Sequence, residues 1–154
     1  MRLKLILAPL LVWFLAAGAL VAPAGVVSEG SVLKLEVQLI WGTNDPQSPD
    51  PKHKPVESAV KKKLNDLPLK WTNYFEVNRK AFEVPLHGTT KVPLSEKCAL
   101  EVTNPGDSMV EVSLVGKGKG VGKRTQKLPK GETLVLGGNA PNATAWLVVL
   151  KRIE

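Results

Sequence analysis

The sequence predicts a mainly β, α+β domain. The expected form is an antiparallel β-sandwich or partly closed barrel of about seven to eight short strands, with one α-helix near residues 55–66. Three observations predict it. Leu33, Leu35, Val37, Leu39 and Trp41 alternate with Lys34, Glu36, Gln38 and Ile40, the period-two signature of a strand with one buried face. From Val92 onward, short alternating runs are separated by turn residues at hairpin spacing. Only one stretch, Val56, Ala59, Val60, Leu64 and Leu67, carries a helical repeat.

Two regions precede the first strand. Arg2 and Lys4 lead into an uncharged apolar segment at residues 5–27, and Ala22-Pro23-Ala24 offers a small-residue cleavage site. Residues 1–24 are therefore expected to be a signal peptide, and residues 25–154 a single β-rich domain. Retention of the same segment would make it an N-terminal anchor, since about 20 apolar residues span a bilayer. The expected location is exported, periplasmic or extracellular, with anchoring in the inner membrane by residues 5–27 as the alternative. No Cys follows the apolar run, so lipoprotein processing at this end is excluded.

Residues 42–51 contain three prolines and several turn formers, which exclude helix and strand there. Pro55 suits the first turn of the helix, Asp50 its cap, and Lys61, Lys62 and Lys63 its negative C-terminal end. Residues 71–77 read as a second strand. The long connection from Trp41 permits a helical crossover, and hence parallel pairing of the first two strands. Phe82, Val84 and Leu86 suggest a third, short strand. Asn104-Pro105-Gly106-Asp107 places Pro and Gly for a type II turn between two strands of a hairpin. Residues 121–128 form a weak polar strand, residues 132–136 another, and residues 137–142 a turn. Residues 144–150 are apolar on both faces, which places the last strand centrally.

Composition and motifs restrict the chemistry. Cys98 is the only cysteine, so an internal disulfide is excluded, and its apolar surroundings predict a buried, inert thiol. His53 and His87 both lie in Pro/Gly-rich loops, and no nucleophile elbow or Ser-His-Asp order can be assigned. No catalytic residue, metal ligand or cofactor is assigned. Asp45, Asp50 and His53 share a loop but lack the dense oxygen spacing of a calcium site. Trp41, Trp71 and Trp146 sit on apolar strand faces and are expected to pack in the core. Asn142-Ala143-Thr144 fits a glycosylation sequon.

The chain carries a formal charge of +7. Six cations and no carboxylate occur within residues 117–130. The glycine-lysine segment at its start does not lead into a helix or end in Gly-Lys-Ser/Thr, so a phosphate loop is excluded. With no aromatic residue interleaved for stacking, nucleic acid is not the expected partner. Lys117, Lys119, Lys123, Arg124 and Lys127 are the candidate binding residues, on a basic hairpin suited to an anionic envelope component or a protein partner. A membrane contact follows only if the leader is retained, and the sequence sets no oligomeric state.

Leu39-Ile40-Trp41-Gly42-Thr43-Asn44-Asp45 and Trp71-Thr72-Asn73-Tyr74-Phe75-Glu76-Val77 resemble segments of uncharacterised small exported bacterial β-rich proteins. That resemblance implies a leader, one helix and a β-rich remainder over most of the chain, and brings no activity. Gly131-Glu132-Thr133-Leu134-Val135-Leu136-Gly137-Gly138 is similar to a strand-and-glycine element of the secretin β-domain, which implies an accessory role in the envelope. The expected function is a non-catalytic exported envelope protein, a binding or structural module with a basic glycine-rich hairpin. The alternatives are a membrane-tethered accessory subunit of a secretion or envelope machine, and a small extracytoplasmic enzyme with no recognisable motif.

Overall fold

The computed structural model describes residues 32–140 and 142–154. The expected signal peptide and anchor lie outside them. In chain order the elements are β1 (Leu33–Thr43), β2 (Lys54–Pro55), α1 (Ser58–Asn65), β3 (Asn73–Val84), β4 (Thr89–Ser95), β5 (Cys98–Gly106), β6 (Met109–Gly116), β7 (Lys119–Lys127), β8 (Thr133–Ala140) and β9 (Thr144–Arg152). One sheet has the order β2-β3-β1-β9-β8 and the other β4-β5-β6-β7. Every paired neighbour is antiparallel. The fold is a β-sandwich with one helix, not a closed barrel.

The alternation of β1 builds two cores at once. Leu33, Leu35, Val37 and Leu39 face the other sheet and join Leu100, Val102, Val110 and Val112 in the inter-sheet core. Ile40, on the opposite face, joins Leu64, Trp71 and Tyr74 in a second cluster beneath α1. β9 serves both: Val148 and Leu150 enter the first, Ala145, Leu147 and Val149 the second. This is why the last strand is apolar on both faces, and it lies between β1 and β8 as its composition predicts.

An eight-residue helix is too short to stand alone. α1 holds to the sheet through Leu64, its one fully buried side chain. Below it Trp71 Nε1 donates to the Ala143 carbonyl at 2.7 Å, and the Tyr74 hydroxyl donates to the Trp71 carbonyl at 2.9 Å. Burial pushes the Tyr74 phenol above its ordinary pKa. Arg79 pins the N-terminal side of the helix. Its guanidinium reaches Glu57 at 2.8 Å, Glu76 at 2.7 Å and Glu36 at 3.5 Å, and those carboxylates hold its pKa still higher than usual. A cavity of about 130 Å3 remains between α1 and the sheet, bordered by Gln38, whose Oε1 is buried without a partner. A recess of that size with Glu36, Gln38 and Glu57 on its border accommodates water.

One long side of the sandwich is closed by side chains that reach across to backbone carbonyls. Asn78 Nδ2 donates to Leu94 at 2.9 Å, Lys80 Nζ to Pro93 at 2.6 Å, and Asn104 Nδ2 to Val84 at 3.1 Å. The terminal strands β7 and β8 stand on the other side.

Several expectations are corrected. The predicted strands at 71–77 and 82–86 are one strand, β3, whose bulge at Val77 lets Leu39 pair with Asn78 and Ile40 with Glu76. β1 and β3 are antiparallel rather than parallel. The long connection between them does not cross over; it folds back to cover the outer face of its own sheet. Pro55 belongs to β2, opposite Phe75 on a sheet edge where proline's missing N–H is harmless. The helix therefore starts at Ser58, with Glu57 as N-cap, and Asp50 instead accepts from the Lys52 N–H at 2.9 Å. The β5–β6 turn falls at Asp107 and Ser108, with φ of 55° and 59°. That primed geometry suits the twist of a two-residue hairpin. β8 runs on through Gly137 and Gly138 to Ala140. At Gly137 a Cβ would lie 2.4 Å from Leu147 Cδ2, so glycine is what lets Leu147 pack there.

Candidate functional site

The basic hairpin is β6–β7. Gly116 pairs with Lys119, and Lys117 and Gly118 form the turn with φ of 50° and 74°. The strand β7 is exposed along almost its whole length and forms the edge of its sheet. The register distributes the five predicted cations. Lys117 and Lys119 stand at the tip. Lys123 and Lys127, opposite Ser113 and Met109, share the outer face. Arg124, opposite Val112, falls on the face turned toward the other sheet. Lys123 Nζ pairs with Glu111 at 2.7 Å. The five residues therefore do not make one patch. Among the described residues Lys117, Lys119, Arg124 and Lys127 have no carboxylate at ion-pair distance, and of these Lys117 and Lys119 share the tip.

A second turn meets the tip. The Lys117 N–H donates to the Lys97 carbonyl at 2.8 Å, which brings Lys97 of the β4–β5 turn beside the hairpin. Lys97 likewise has no ion-pair partner among the described residues. Three lysines thus gather at one end of the sandwich, and Lys97 is a member that charge counting along the chain passes over.

Beneath these turns the two sheets part into a cleft of about 680 Å3. Leu39, Leu114 and Val148 continue the inter-sheet core into its walls, and Val121 and Trp146 stand nearer solvent. Glu96, Lys97 and Lys117 also border it. Trp146 corrects the expectation of a core residue: it is 40% exposed. Its alternation with Val148 and Leu150 is that of a core strand, but it stands toward solvent with Trp41 packed edge-on against it, ring centroids 4.6 Å apart. Trp71 alone of the three described tryptophans is buried as predicted.

No family model, curated protein or solved structure matches this chain.

Cys98 opens onto the same cleft and is half-buried, not fully buried as its sequence context predicts. Burial pushes its thiol above the ordinary range. Raising a thiol pKa lowers the thiolate fraction at any given pH, so Cys98 is a poor nucleophile. Its alkylation by iodoacetamide is expected to rise with pH along a curve displaced to the alkaline side of that of a free cysteine. Coincident curves would show the cleft to be as wet as bulk solvent. Because the neutral thiol is the form favoured by the fold, its stabilising contribution is complete below the unfolded thiol's pKa. It is lost as pH rises through the folded value.

The loop at 44–53 assembles a trio that the sequence does not reveal as one. Ser48 Oγ lies 2.6 Å from His53 Nδ1, and His53 Nε2 lies 3.8 Å from Asp50 Oδ2. The same side chains also serve the loop backbone: Asp50 N donates to Ser48 Oγ at 3.4 Å and Lys52 N to Asp50 Oδ1 at 2.9 Å. The trio braces a turn in an exposed Pro-rich loop. His87 stands apart, at the β3–β4 turn with φ of 58°. Among the described residues no three His, Cys, Asp or Glu side chains converge as metal ligands.

Proposed function

We propose that this chain is an exported, non-catalytic protein of the cell envelope, a binding module that meets an anionic partner at the hairpin end of its sandwich. The observation that carries the reading is the gathering of Lys97, Lys117 and Lys119 on two linked turns, with no carboxylate at ion-pair distance among the described residues. Unpaired ammonium groups on a rigid support attract anions over a Debye length. The leader reading of residues 1–24 supports export. Among the described residues no helix is long and apolar enough to cross a membrane.

Cosedimentation with phosphatidylglycerol vesicles tests the reading. Each lysine near an anionic surface contributes about 1 kcal/mol. The double variant Lys117→Gln/Lys119→Gln is therefore expected to bind about tenfold or more weakly, and the wild-type affinity to fall with salt. Glu111→Gln/Lys123→Gln is expected to change little, since it removes a pair that is neutral overall. Equal partition of wild type and double variant, or equal binding to uncharged phosphatidylcholine, would sink the proposal.

A further inference from the structure

We infer that the inter-sheet cleft seats the hydrocarbon tail of a single-chain fatty acid, with its carboxylate at Lys97 and Lys117. The inference rests on the anion-binding reading and gives it a ligand class.

The cleft has the size of a small-molecule site, whose usual range is about 300–1,000 Å3, at about 680 Å3. Its depth is apolar. Leu39 and Val148 belong to the inter-sheet core, Leu114 packs against it, and all three also line the cleft. Trp146 adds an aromatic wall that no facing strand covers. A hydrocarbon chain gains from such a lining and asks nothing of it in hydrogen bonds.

The rim supplies the opposite chemistry. Glu96 is the one acidic residue bordering the cleft, against Lys97 and Lys117. The hydrogen bond from Lys117 N–H to the Lys97 carbonyl fixes the two turns together, so two lysines border one mouth. An apolar interior with a net cationic mouth complements a molecule with one tail and one negative head. An added peptide strand fits less well. Two free edges border the cleft, β7 at Val121 and β8 at Gly138, Asn139 and Ala140, and the lysines and glycines of the first and the paired glycines of the second oppose edge pairing.

Gly138 gives a direct way to close the site. It pairs with Trp146, so a side chain there enters the cleft from the same face, and a Cβ would meet nothing within 4 Å. Cys98 supplies a reporter inside the same space.

The test uses the full chain and sodium laurate below its micelle-forming concentration. Laurate is expected to slow Cys98 alkylation about tenfold at saturation and to shift tryptophan emission to the blue. Gly138→Phe is expected to abolish both effects while keeping the wild-type circular dichroism. Lys97→Gln/Lys117→Gln is expected to weaken laurate about tenfold or more, leaving uncharged dodecanol unaffected. The second variant keeps the test decisive if the first misfolds. No protection by laurate would overturn the inference, as would equal protection by dodecyltrimethylammonium, or protection by phosphatidylglycerol vesicles alone. The two proposals fail separately. Vesicle binding that still depends on Lys117 and Lys119, without laurate protection, removes the fatty acid and keeps the anion-binding reading. Loss of both removes both.

Discussion

Trp71→Ala is expected to cost about 3–5 kcal/mol of unfolding free energy, and Trp146→Ala about 1 kcal/mol. The two residues have the same chemistry and different surroundings. Trp71 is 9% exposed, packs with Ile40, Leu64 and Tyr74, and donates its indole N–H to the Ala143 carbonyl. Truncation empties the space beneath α1 and leaves that carbonyl without its donor. Trp146 is 40% exposed and loses chiefly its edge contact with Trp41. Urea denaturation followed by circular dichroism measures both. With a slope of about 1–3 kcal/mol per molar urea, Trp71→Ala should lower the midpoint by more than about 1 M. Equal losses for the two variants would mean that the outer layer is not held as described.

The parts of the fold legible in the sequence are the strands whose two faces differ clearly in polarity or are both apolar. β1 is of the first kind and β9 of the second, and both are placed as their patterns require. β3 is not legible as one strand because its middle, Asn78, Arg79 and Lys80, is polar on both faces. The structure uses each of these side chains. Asn78 and Lys80 bond across to β4 carbonyls, and Arg79 gathers Glu36, Glu57 and Glu76. Such partners are distant in sequence, so a local pattern records only the polarity. The helix start is not legible for a related reason. Pro55 is as compatible with a sheet edge as with a first helical turn, and only its pairing with Phe75 decides between them.

The candidate site was legible by residue type and not by arrangement. Lys117 and Lys119 stand out in any charge count, and so do Lys123, Arg124 and Lys127. Strand alternation then sends Lys123 and Arg124 to opposite faces, and Glu111 neutralises the first of them. Lys97 lies twenty residues upstream and joins the tip only through a turn-to-turn hydrogen bond. The cleft has no signature of its own. Its apolar walls read as ordinary core positions, and they become a recess because the two sheets do not meet over Trp146.

Leu100→Ala is expected to lower stability by about 2–5 kcal/mol. Leu100 is fully buried on β5, paired with Val92 on one side and Leu114 on the other, and it packs in the inter-sheet core with Leu35 and Val37. The loss of Cγ and its two methyl groups leaves a space that neighbours on two hydrogen-bonded sheets cannot collapse into. With Cys98 as the only cysteine, no intrachain disulfide offsets the loss. Domains of about this size have roughly 5–15 kcal/mol in all, so the variant should melt many degrees lower in calorimetry, at about 2–8 °C per kcal/mol. Leu114→Ala makes the decisive comparison. Leu114 lies on the next strand of the same sheet but borders the cleft and is only half-buried, so its truncation enlarges a space that already exists. It should cost clearly less than Leu100→Ala. Equal costs would mean that the walls of the cleft are packed as tightly as the core, and the recess would then have no room for a tail.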